Sequence, residues 1–108
     1  MLEYIDGEIE VHDPPDFPDA TVYRGHKGFL DQIDKFREVF REIEYEPTEF
    51  TPHGDQVVVV VNATGVSRSG ISGEMTYAQV EDWRQGKIVR VRYFVSRDQA
   101  FEAAGLSE

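Results

Sequence analysis

The sequence predicts an α+β fold in which a curved, mostly antiparallel sheet wraps around one long helix. Three observations support this class. Apolar residues recur at helical spacing from Phe29 to Ile43, five consecutive valines occupy Val57–Val61, and Gly86 separates two alternating segments. Because a single long helical pattern stands among segments with strand character, the helix and the strands are expected to share one core.

The composition is that of an ordinary globular chain, and it excludes several classes of function. With 108 residues the chain is expected to form a single domain over residues 1–108. The absence of cysteine excludes disulfides and thiolate metal sites and fits a reducing, cytoplasmic compartment. A formal net charge of −10 argues against a nucleic-acid partner. No apolar run approaches the about 20 residues of a membrane span, so no membrane association is expected.

The first half of the chain changes from a strand pattern to a helix pattern. Residues 8–13 alternate and stop at two prolines, which predicts a first strand, and residues 16–23 are predicted to form an irregular loop. From Gly25 the apolar period becomes that of an amphipathic helix, which is expected to end before Pro47. The predicted apolar side of the helix consists of Phe29, Leu30, Ile33, Phe36, Val39, Phe40 and Ile43.

The second half of the chain is predicted to contain four strands and a short helix. Before the hairpin come a polar strand at 46–52, a turn at 53–56, a buried strand at 57–64 and a Gly/Ser-rich turn at 67–73. The last helix begins at Ser96, because Gln99 three residues later completes a capping-box pattern. Gly105 is expected to end it.

The candidate pocket residues converge on the hairpin formed by residues 75–94. A two-residue loop would place Arg90 and Arg92 on one face with Glu81, whereas a three-residue loop closed by Gly86 places them on the opposite face. The longer loop is favoured, because it leaves the apolar face with few polar groups that a small-molecule cavity needs. Its cross-strand pairs are Trp83 with Lys87, Glu81 with Val89, Gln79 with Val91, and Tyr77 with Tyr93. The resulting face consists of Tyr77, Gln79, Glu81, Trp83, Val89, Val91, Tyr93 and Val95.

Two carboxylates on the apolar side are the candidates for acid–base chemistry. Glu81 is predicted to point inward among apolar neighbours, a setting that favours a general base. The alternative is a solvated carboxylate at the rim of the sheet, or one paired with an arginine. Alternation along the first strand places Asp13 on the same apolar side and His12 on the exposed side. The alternative for Asp13 is a turn residue that caps the backbone before Pro14.

The other candidates are side chains that can bind a ligand. Tyr77 and Tyr93 can present hydroxyls while their rings pack. Asn62 continues the valine strand and can line the pocket, the alternative being polarity at the rim of the sheet. The predicted ligand-binding residues are Tyr77, Gln79, Tyr93, Asn62 and Trp83. Because the three histidines are far apart and lack metal-ligand spacing, neither a metal nor another cofactor is expected.

Four segments carry a family resemblance: VHDPPDFPDATVYRGHKGF, GDQVVVVV, WRQGKIVRVR and RDQAFEAAGL. In this order they resemble the SnoaL-like branch of the NTF2-like superfamily, which includes polyketide cyclases and relatives of ketosteroid isomerase and limonene epoxide hydrolase. The resemblance implies a cone-shaped α+β domain, a pocket between sheet and helices, and homodimers formed through the outer sheet face. Compared with the family the chain is N-terminally short, since residues 1–5 supply only the tail of the usual helix pair. Either a neighbouring subunit covers that region or the pocket is open.

The resemblance implies a small hydrophobic molecule as partner and, if the protein is an enzyme, a cofactor-independent isomerase, cyclase or hydrolase. In the polyketide cyclases a His and an Asp act as acid and base, and the corresponding positions hold Gln79 and Tyr93 here. Because glutamine cannot carry a proton, that route is closed. Glu81 or Asp13 is then the expected base, with Tyr77 or Tyr93 donating to a developing oxyanion. The alternative function is a non-catalytic dimerisation or assembly module with a pocket plugged by aromatic side chains.

Overall fold

The fold is a six-stranded sheet with a long helix on one face and a short helix on the other, as described by a computed structural model of residues 2–106. The α+β class predicted from the sequence is confirmed. The structure describes the backbone but not the side chains of Leu2, Phe36 and Val39. The last two residues were predicted for the apolar side of the helix, and they lie in it. The elements are a 3-10 helix (Leu2–Tyr4), β1 (Ile5–His12), β2 (Val22–Arg24), α1 (Gly25–Val39), β3 (Phe40–His53), β4 (Gln56–Ser67), β5 (Ser72–Arg84), β6 (Lys87–Phe94) and α2 (Arg97–Ala103).

The strands are ordered β2-β1-β6-β5-β4-β3, and every neighbouring pair is antiparallel except β1 and β6, which are parallel. The valine strand β4 lies between β3 and β5, as expected for a strand covered on both faces. Val58–Val61 are at most 6% exposed. Because valine is β-branched, it suits a pleated and buried strand. Neither described helix has the length and apolar character needed to span a membrane.

Alternation along the strands gives the sheet an inner face, on which α1 packs, and an outer face, on which α2 packs. Each face has its own cluster of buried residues. The inner cluster contains Ile5, Ile9, Val11 and Val91, with Phe29 of α1 against it. The outer cluster contains Val58, Val60, Ala78 and Val80, together with Ala100 and Ala104 of α2. The two helices therefore stabilise opposite sides of the same sheet.

The long helix is shorter than predicted. It ends at Val39 and passes directly into β3, so Phe40 and Ile43 lie in a strand paired with β4 and not in the helix. The Arg68 guanidinium donates two hydrogen bonds of 2.8 Å to the carbonyl oxygens of residues 37–38. These carbonyls belong to the last turn, where intrahelical donors run out. The boundary was predicted wrongly because aromatic and β-branched residues suit a strand as well as a helix side, and pairing with β4 decides between them.

The hairpin between β5 and β6 has the predicted face for Glu81, Val91 and Tyr93, but its loop differs, and Ile88 takes the inner position predicted for Val89. The loop contains only Gln85 and Gly86, with φ of 51° and 78°, the combination found in type I′ turns. Val89 then forms a β-bulge, and this extra residue returns Arg90 and Arg92 to the outer face. The predicted cross-strand pairs are wrong, while the predicted separation of the arginines from Glu81 is correct. The observed pairs include Trp83 with Ile88, Asp82 with Arg90, Glu81 with Val91, and Gln79 with Tyr93.

Strands β1 and β2 differ from the predicted elements, and β3, β4 and β5 each extend beyond their predicted bounds. β1 begins at Ile5, which pairs with Ile88, and not at Glu8. β2 lies inside the predicted loop, and its Tyr23 pairs with Val11 of β1. A strand of three residues is too short to produce a readable alternation, so it was missed.

The N-terminus of α2 forms half of the predicted capping box. The Ser96 hydroxyl accepts a hydrogen bond of 3.2 Å from the Gln99 N–H, as a capping serine should. The Gln99 side chain does not return to the Ser96 backbone. Its amide donates instead to Asp16, at 3.4 Å, and so ties α2 to the loop after β1.

Candidate functional site

The register of the sheet gathers most of the predicted site residues on the inner face. Gln79 and Glu81 of β5 lie beside Tyr93 and the core residue Val91 of β6. Tyr77 lies diagonally beside Tyr93 on the same face. The predicted pairing of the two tyrosines directly across the strands is therefore replaced by a diagonal contact.

Asp13 is a buried carboxylate, 5% exposed, at the end of β1. Its Oδ2 accepts hydrogen bonds from the Thr21 N–H at 3.2 Å, the Tyr23 hydroxyl at 3.4 Å and the Lys35 ammonium at 3.1 Å. The Asp13 N–H donates to the Thr21 carbonyl at 3.1 Å, so Asp13 also closes the loop between β1 and β2. Its Oδ1 is buried and has no hydrogen-bond partner within the described residues. Tyr23 and Asp13 together raise the pKa of Lys35, which keeps the ammonium charged.

Glu81 is half-buried and is held by its neighbours on the same strand. The Gln79 side-chain amide donates to Oε2 at 2.7 Å, and the Trp83 indole donates to Oε1 at 3.3 Å. Among the described residues no arginine contacts Glu81, because Arg90 and Arg92 approach Asp82 on the outer face. Glu81 is therefore fixed in orientation by neutral donors, an arrangement that leaves its charge available to a ligand.

Three tyrosines, which we call the tyrosine row, cross the inner face: Tyr45 of β3, Tyr77 of β5 and Tyr93 of β6. The ring centroids of Tyr77 and Tyr93 are 5.9 Å apart. Burial, with a smaller effect of Tyr45, raises the pKa of Tyr77 to about 12. The pKa of Tyr93 is raised by burial and further by Tyr77, Tyr45, Glu81 and Asp13.

The tyrosine hydroxyls are available to a ligand. Within the described part of the chain, the hydroxyls of Tyr77 and Tyr93 make no hydrogen bond. Their raised pKa values keep both phenols protonated near neutral pH, so each remains a hydrogen-bond donor. A protonated phenol that lacks a partner can bind a carbonyl or a developing oxyanion.

Asn62 lies apart from this group. Val61 pairs with Tyr77 and Asn62 with Thr76, so Asn62 faces the outer side of the sheet, where its Oδ1 accepts a 3.4 Å hydrogen bond from Thr76. The expectation that Asn62 lines the inner face is corrected. The valines of β4 are buried on both faces, and such a strand gives no alternation from which the face of its next polar residue can be read.

The histidines make structural contacts. His12, expected to be exposed, has a side chain only 30% exposed, and its Nε2 lies 3.1 Å from Glu10 on the outer face. His26 in the first turn of α1 contacts the Ile5 carbonyl at 2.8 Å, which ties the helix to β1. Across residues 2–106 no three His, Asp or Glu side chains gather closely enough to hold a metal ion.

Two polar residues of α1 lie on the side of the helix that faces the sheet, although the sequence did not single them out. Lys35 lies beside Asp13 and Tyr23, with Nζ 5.8 Å from the centre of the tyrosine ring. Gln32 is 2% exposed, and its Nε2 is buried without a partner among the described residues. The available signal was weak, because a polar residue beside the apolar stripe of a helix resembles an ordinary solvated one.

An open groove of about 1280 Å³ lies between the C-terminal half of α1 and strands β3, β4 and β5, with Tyr45 in its wall. Its walls include Ile33 and Arg37 of α1 and Ile43 and Tyr45 of β3. Burial raises the pKa of Tyr45, and the positive charge of Arg37 partly offsets this rise. Tyr45 therefore belongs to both the groove and the tyrosine row, whereas Tyr77 and Tyr93 are not among the residues that line the groove.

Comparisons with known proteins agree on one family. The model of the SnoaL-like domain matches residues 1–91. Among solved structures, TerC co-crystallised with polyporic acid has 22% identity over 94% of this chain and 80% of that chain, with a TM-score of 0.78. An NTF2-like protein from Burkholderia xenovorans LB400 has 30% identity over 95% and 79%, with a TM-score of 0.70. One from Burkholderia thailandensis E264 has 25% identity over 98% and 81%, with a TM-score of 0.77. No curated protein matches the chain.

Proposed function

Since this chain belongs to the SnoaL-like family and has the NTF2-like fold, we propose that its inner face binds a small hydrophobic organic molecule and transforms it by proton transfer. The family and fold predicted from the sequence are thereby confirmed. The observation that carries the proposal is the meeting of two carboxylates and two unpartnered phenols on one face. Such a face offers a base and hydrogen-bond donors within an apolar surface.

The role of each side chain follows from its access to a ligand. Glu81 is the base, because it is half-buried and a ligand on the inner face can reach it. Tyr77 and Tyr93 donate hydrogen bonds to the oxygen on which negative charge develops. Gln79 and Trp83 orient Glu81 through the hydrogen bonds they already make with it. The reaction class is an isomerisation, a ring closure or a hydrolysis that needs no cofactor.

One relative supports the kind of ligand. TerC, which shares the fold, was co-crystallised with a small molecule, polyporic acid. The side chains here fit a molecule of that size class, since the tyrosine row and the groove provide both aromatic rings and hydroxyls. Polyporic acid is therefore a natural member of a first ligand panel.

Thermal unfolding in the presence of polyketides, steroids, terpene epoxides, fatty acids and polyporic acid tests binding. A ligand at about 100 times its dissociation constant adds ~2.7 kcal/mol of stability. A domain of this size responds to each kcal/mol with about 4–8 °C in Tm. We expect at least one compound class to give a shift of this size, and no shift with any compound would contradict the proposal.

Turnover of the stabilising compound then tests the base. Glu81→Gln should retain binding and lose at least about a hundredfold in rate, because the amide cannot accept the proton. Glu102→Gln, which removes an exposed carboxylate on α2, is the matched control and should leave the rate unchanged. Equal rates for Glu81→Gln and the control would reject Glu81 as the base.

We also propose that the outer face of β1, β2 and β6 forms a homodimer. This face carries pairs of opposite charge, including Arg24 with Glu10 at 2.7 Å and Arg90 with Asp82. A surface with both signs can complement itself across a two-fold axis. Sedimentation equilibrium should give a dimer whose dissociation constant rises in high salt and with Arg24→Glu. A monomer at all concentrations would contradict this proposal.

A further inference from the structure

We propose that Asp13 and Gln32 form a polar subsite that receives a neutral hydroxyl–carbonyl group of the ligand. Asp13 supplies an unused acceptor, Oδ1, and Gln32 supplies an unused donor, Nε2. The proposal rests on the proposed function, because it names the head group of the molecule that the inner face binds. It adds a residue of α1, Gln32, as a determinant of specificity.

The first argument is burial. Asp13 is 5% exposed and Gln32 is 2% exposed, so both atoms are buried in the chain without a ligand. Buried polar atoms are almost always hydrogen-bonded, and leaving one unpaired costs free energy. One unpaired acceptor and one unpaired donor on the same side of the sheet are complementary to a group that carries both functions.

The second argument is proximity. Gln32 and Lys35 are three residues apart on α1 and therefore share one side of the helix. Lys35 reaches Asp13 Oδ2 at 3.1 Å. Gln32 is consequently held against the same end of β1 as Asp13, in the layer between helix and sheet.

The third argument is the route from solvent. Tyr45 lines the open groove, and Tyr77 and Tyr93 continue from it across the inner face along the strand order β3-β4-β5-β6. Asp13 follows β1, the next strand beyond β6, on the same face. An elongated ligand can therefore place its apolar body along the tyrosine row, from Tyr45 to Tyr93, and its polar head at Asp13.

The chemistry of the two atoms selects the head group. A ligand hydroxyl donates to Asp13 Oδ1, and a ligand carbonyl accepts from Gln32 Nε2. An anionic carboxylate is disfavoured, because it would meet the Asp13 charge while Lys35 is already engaged. The class that fits is a neutral, largely apolar molecule with a hydroxyl next to a carbonyl.

Three related compounds separate these requirements: benzoin has the hydroxyl and the carbonyl, deoxybenzoin lacks the hydroxyl, and hydrobenzoin lacks the carbonyl. We expect benzoin to bind the full chain at least about tenfold more tightly than either analogue, because each analogue leaves one buried atom unpaired. Titration calorimetry gives the three dissociation constants.

Gln32→Leu assigns the donor. In this variant benzoin and hydrobenzoin should have about equal dissociation constants. Benzoin should still bind more tightly than deoxybenzoin by the parent ratio, since Asp13 is unchanged. Gln99→Leu is the matched control. Gln99 also has a buried unpartnered atom, Oε1, but it lies on α2 at the outer face, so both ratios should stay as in the parent protein.

The thermal midpoint of Gln32→Leu excludes a purely structural role. We expect Tm to be equal or higher, because an unpaired buried donor is replaced by an apolar group. A lower Tm with unchanged ratios would mean that Gln32 only holds an internal water, and it would overturn the subsite. Equal binding of the three compounds, or binding by other panel members but by none of the three, would overturn the subsite alone. Failure of every compound would overturn the proposed function as well.

Discussion

Asp13 is a buried carboxylate whose charge is balanced by a lysine that remains in contact with water. The Lys35 side chain is 35% exposed, whereas that of Asp13 is 1% exposed. Burying an acid is tolerable only when donors surround it, and here a backbone N–H, a phenol and an ammonium all point at Oδ2. The arrangement fixes one carboxylate oxygen and leaves the other free.

Removal of the lysine should therefore be costly. We expect Lys35→Met to lower the free energy of unfolding by about 1.5–3 kcal/mol, because a hydrogen bond to a buried charge is lost. The matched control is Lys27→Met, which removes an ion pair of 2.9 Å with Asp31 on the exposed side of the same helix. The control should cost no more than about 0.5 kcal/mol. Urea unfolding measures both, and equal losses would contradict the role assigned to Lys35.

The tyrosine row should make the fold sensitive to high pH. The pKa of Tyr77 rises from 10.0 to about 12 on folding, so the folded chain holds this proton more tightly than the unfolded chain. The resulting stability is fully present below pH 10 and is lost as the pH rises toward 12. Urea midpoints between neutral and alkaline pH should fall less in Tyr77→Phe than in the parent. Tyr4→Phe, at an exposed site, should behave as the parent does. Identical pH profiles for all three would contradict the assignment.

At the residue scale, alternation was a sufficient guide to the inner face of the hairpin. It placed Tyr77, Gln79 and Glu81 together, because residues two apart on a strand point to the same face. It did not place Asn62, since a strand buried on both sides carries no such contrast. Alternation could not identify Gln32 either, because the unpaired donor of this residue results from packing against the sheet and not from a local pattern.

Helix α1 ends without a glycine or a proline at its C-terminus. The guanidinium of Arg68, from the turn after β4, accounts for two carbonyl groups at the end of α1. The next residue, Phe40, already lies in β3. No signal close in sequence marks this boundary, because its determinant comes from about thirty residues further along the chain.

Loss of this cap should destabilise α1. We expect Arg68→Met to lower the free energy of unfolding by about 1 kcal/mol, because two carbonyls lose their donor and a cation leaves the C-terminal end of the helix dipole. Arg84→Met, at an exposed position before the hairpin loop, is the control and should change stability by less than about 0.5 kcal/mol. Urea unfolding of the two variants gives the comparison, and equal effects would refute the capping role.

The edge strand β3 illustrates how the sheet avoids pairing with other chains. It is 14 residues long and mostly exposed, and it carries Pro47 and Pro52 together with a series of glutamates. Proline lacks the N–H that a new strand would need, and repeated negative charge repels a second acidic chain. Four of the 21 acidic residues of the chain lie on this strand.

For the whole molecule, the fold class could be predicted because helix period, strand alternation and turn residues all agreed. The hairpin shows the limit of that agreement. Both the predicted loop and the observed loop with its bulge at Val89 separate Arg90 from Glu81, so the arginines were assigned to the correct face although the pairs and the position of Val89 were wrong. As a result, the acids and phenols lie on the inner face, and the arginine pairs lie on the outer face.

The most direct test of binding at the inner face uses the single tryptophan of the chain. Trp83 donates to Glu81 at 3.3 Å and pairs with Ile88, which packs on the inner cluster, so its emission responds to a ligand bound beside Glu81. A compound that raises Tm should change the Trp83 emission in a saturable way, with the same dissociation constant as calorimetry. Emission that stays constant while the compound stabilises the fold would place the ligand elsewhere and contradict the account.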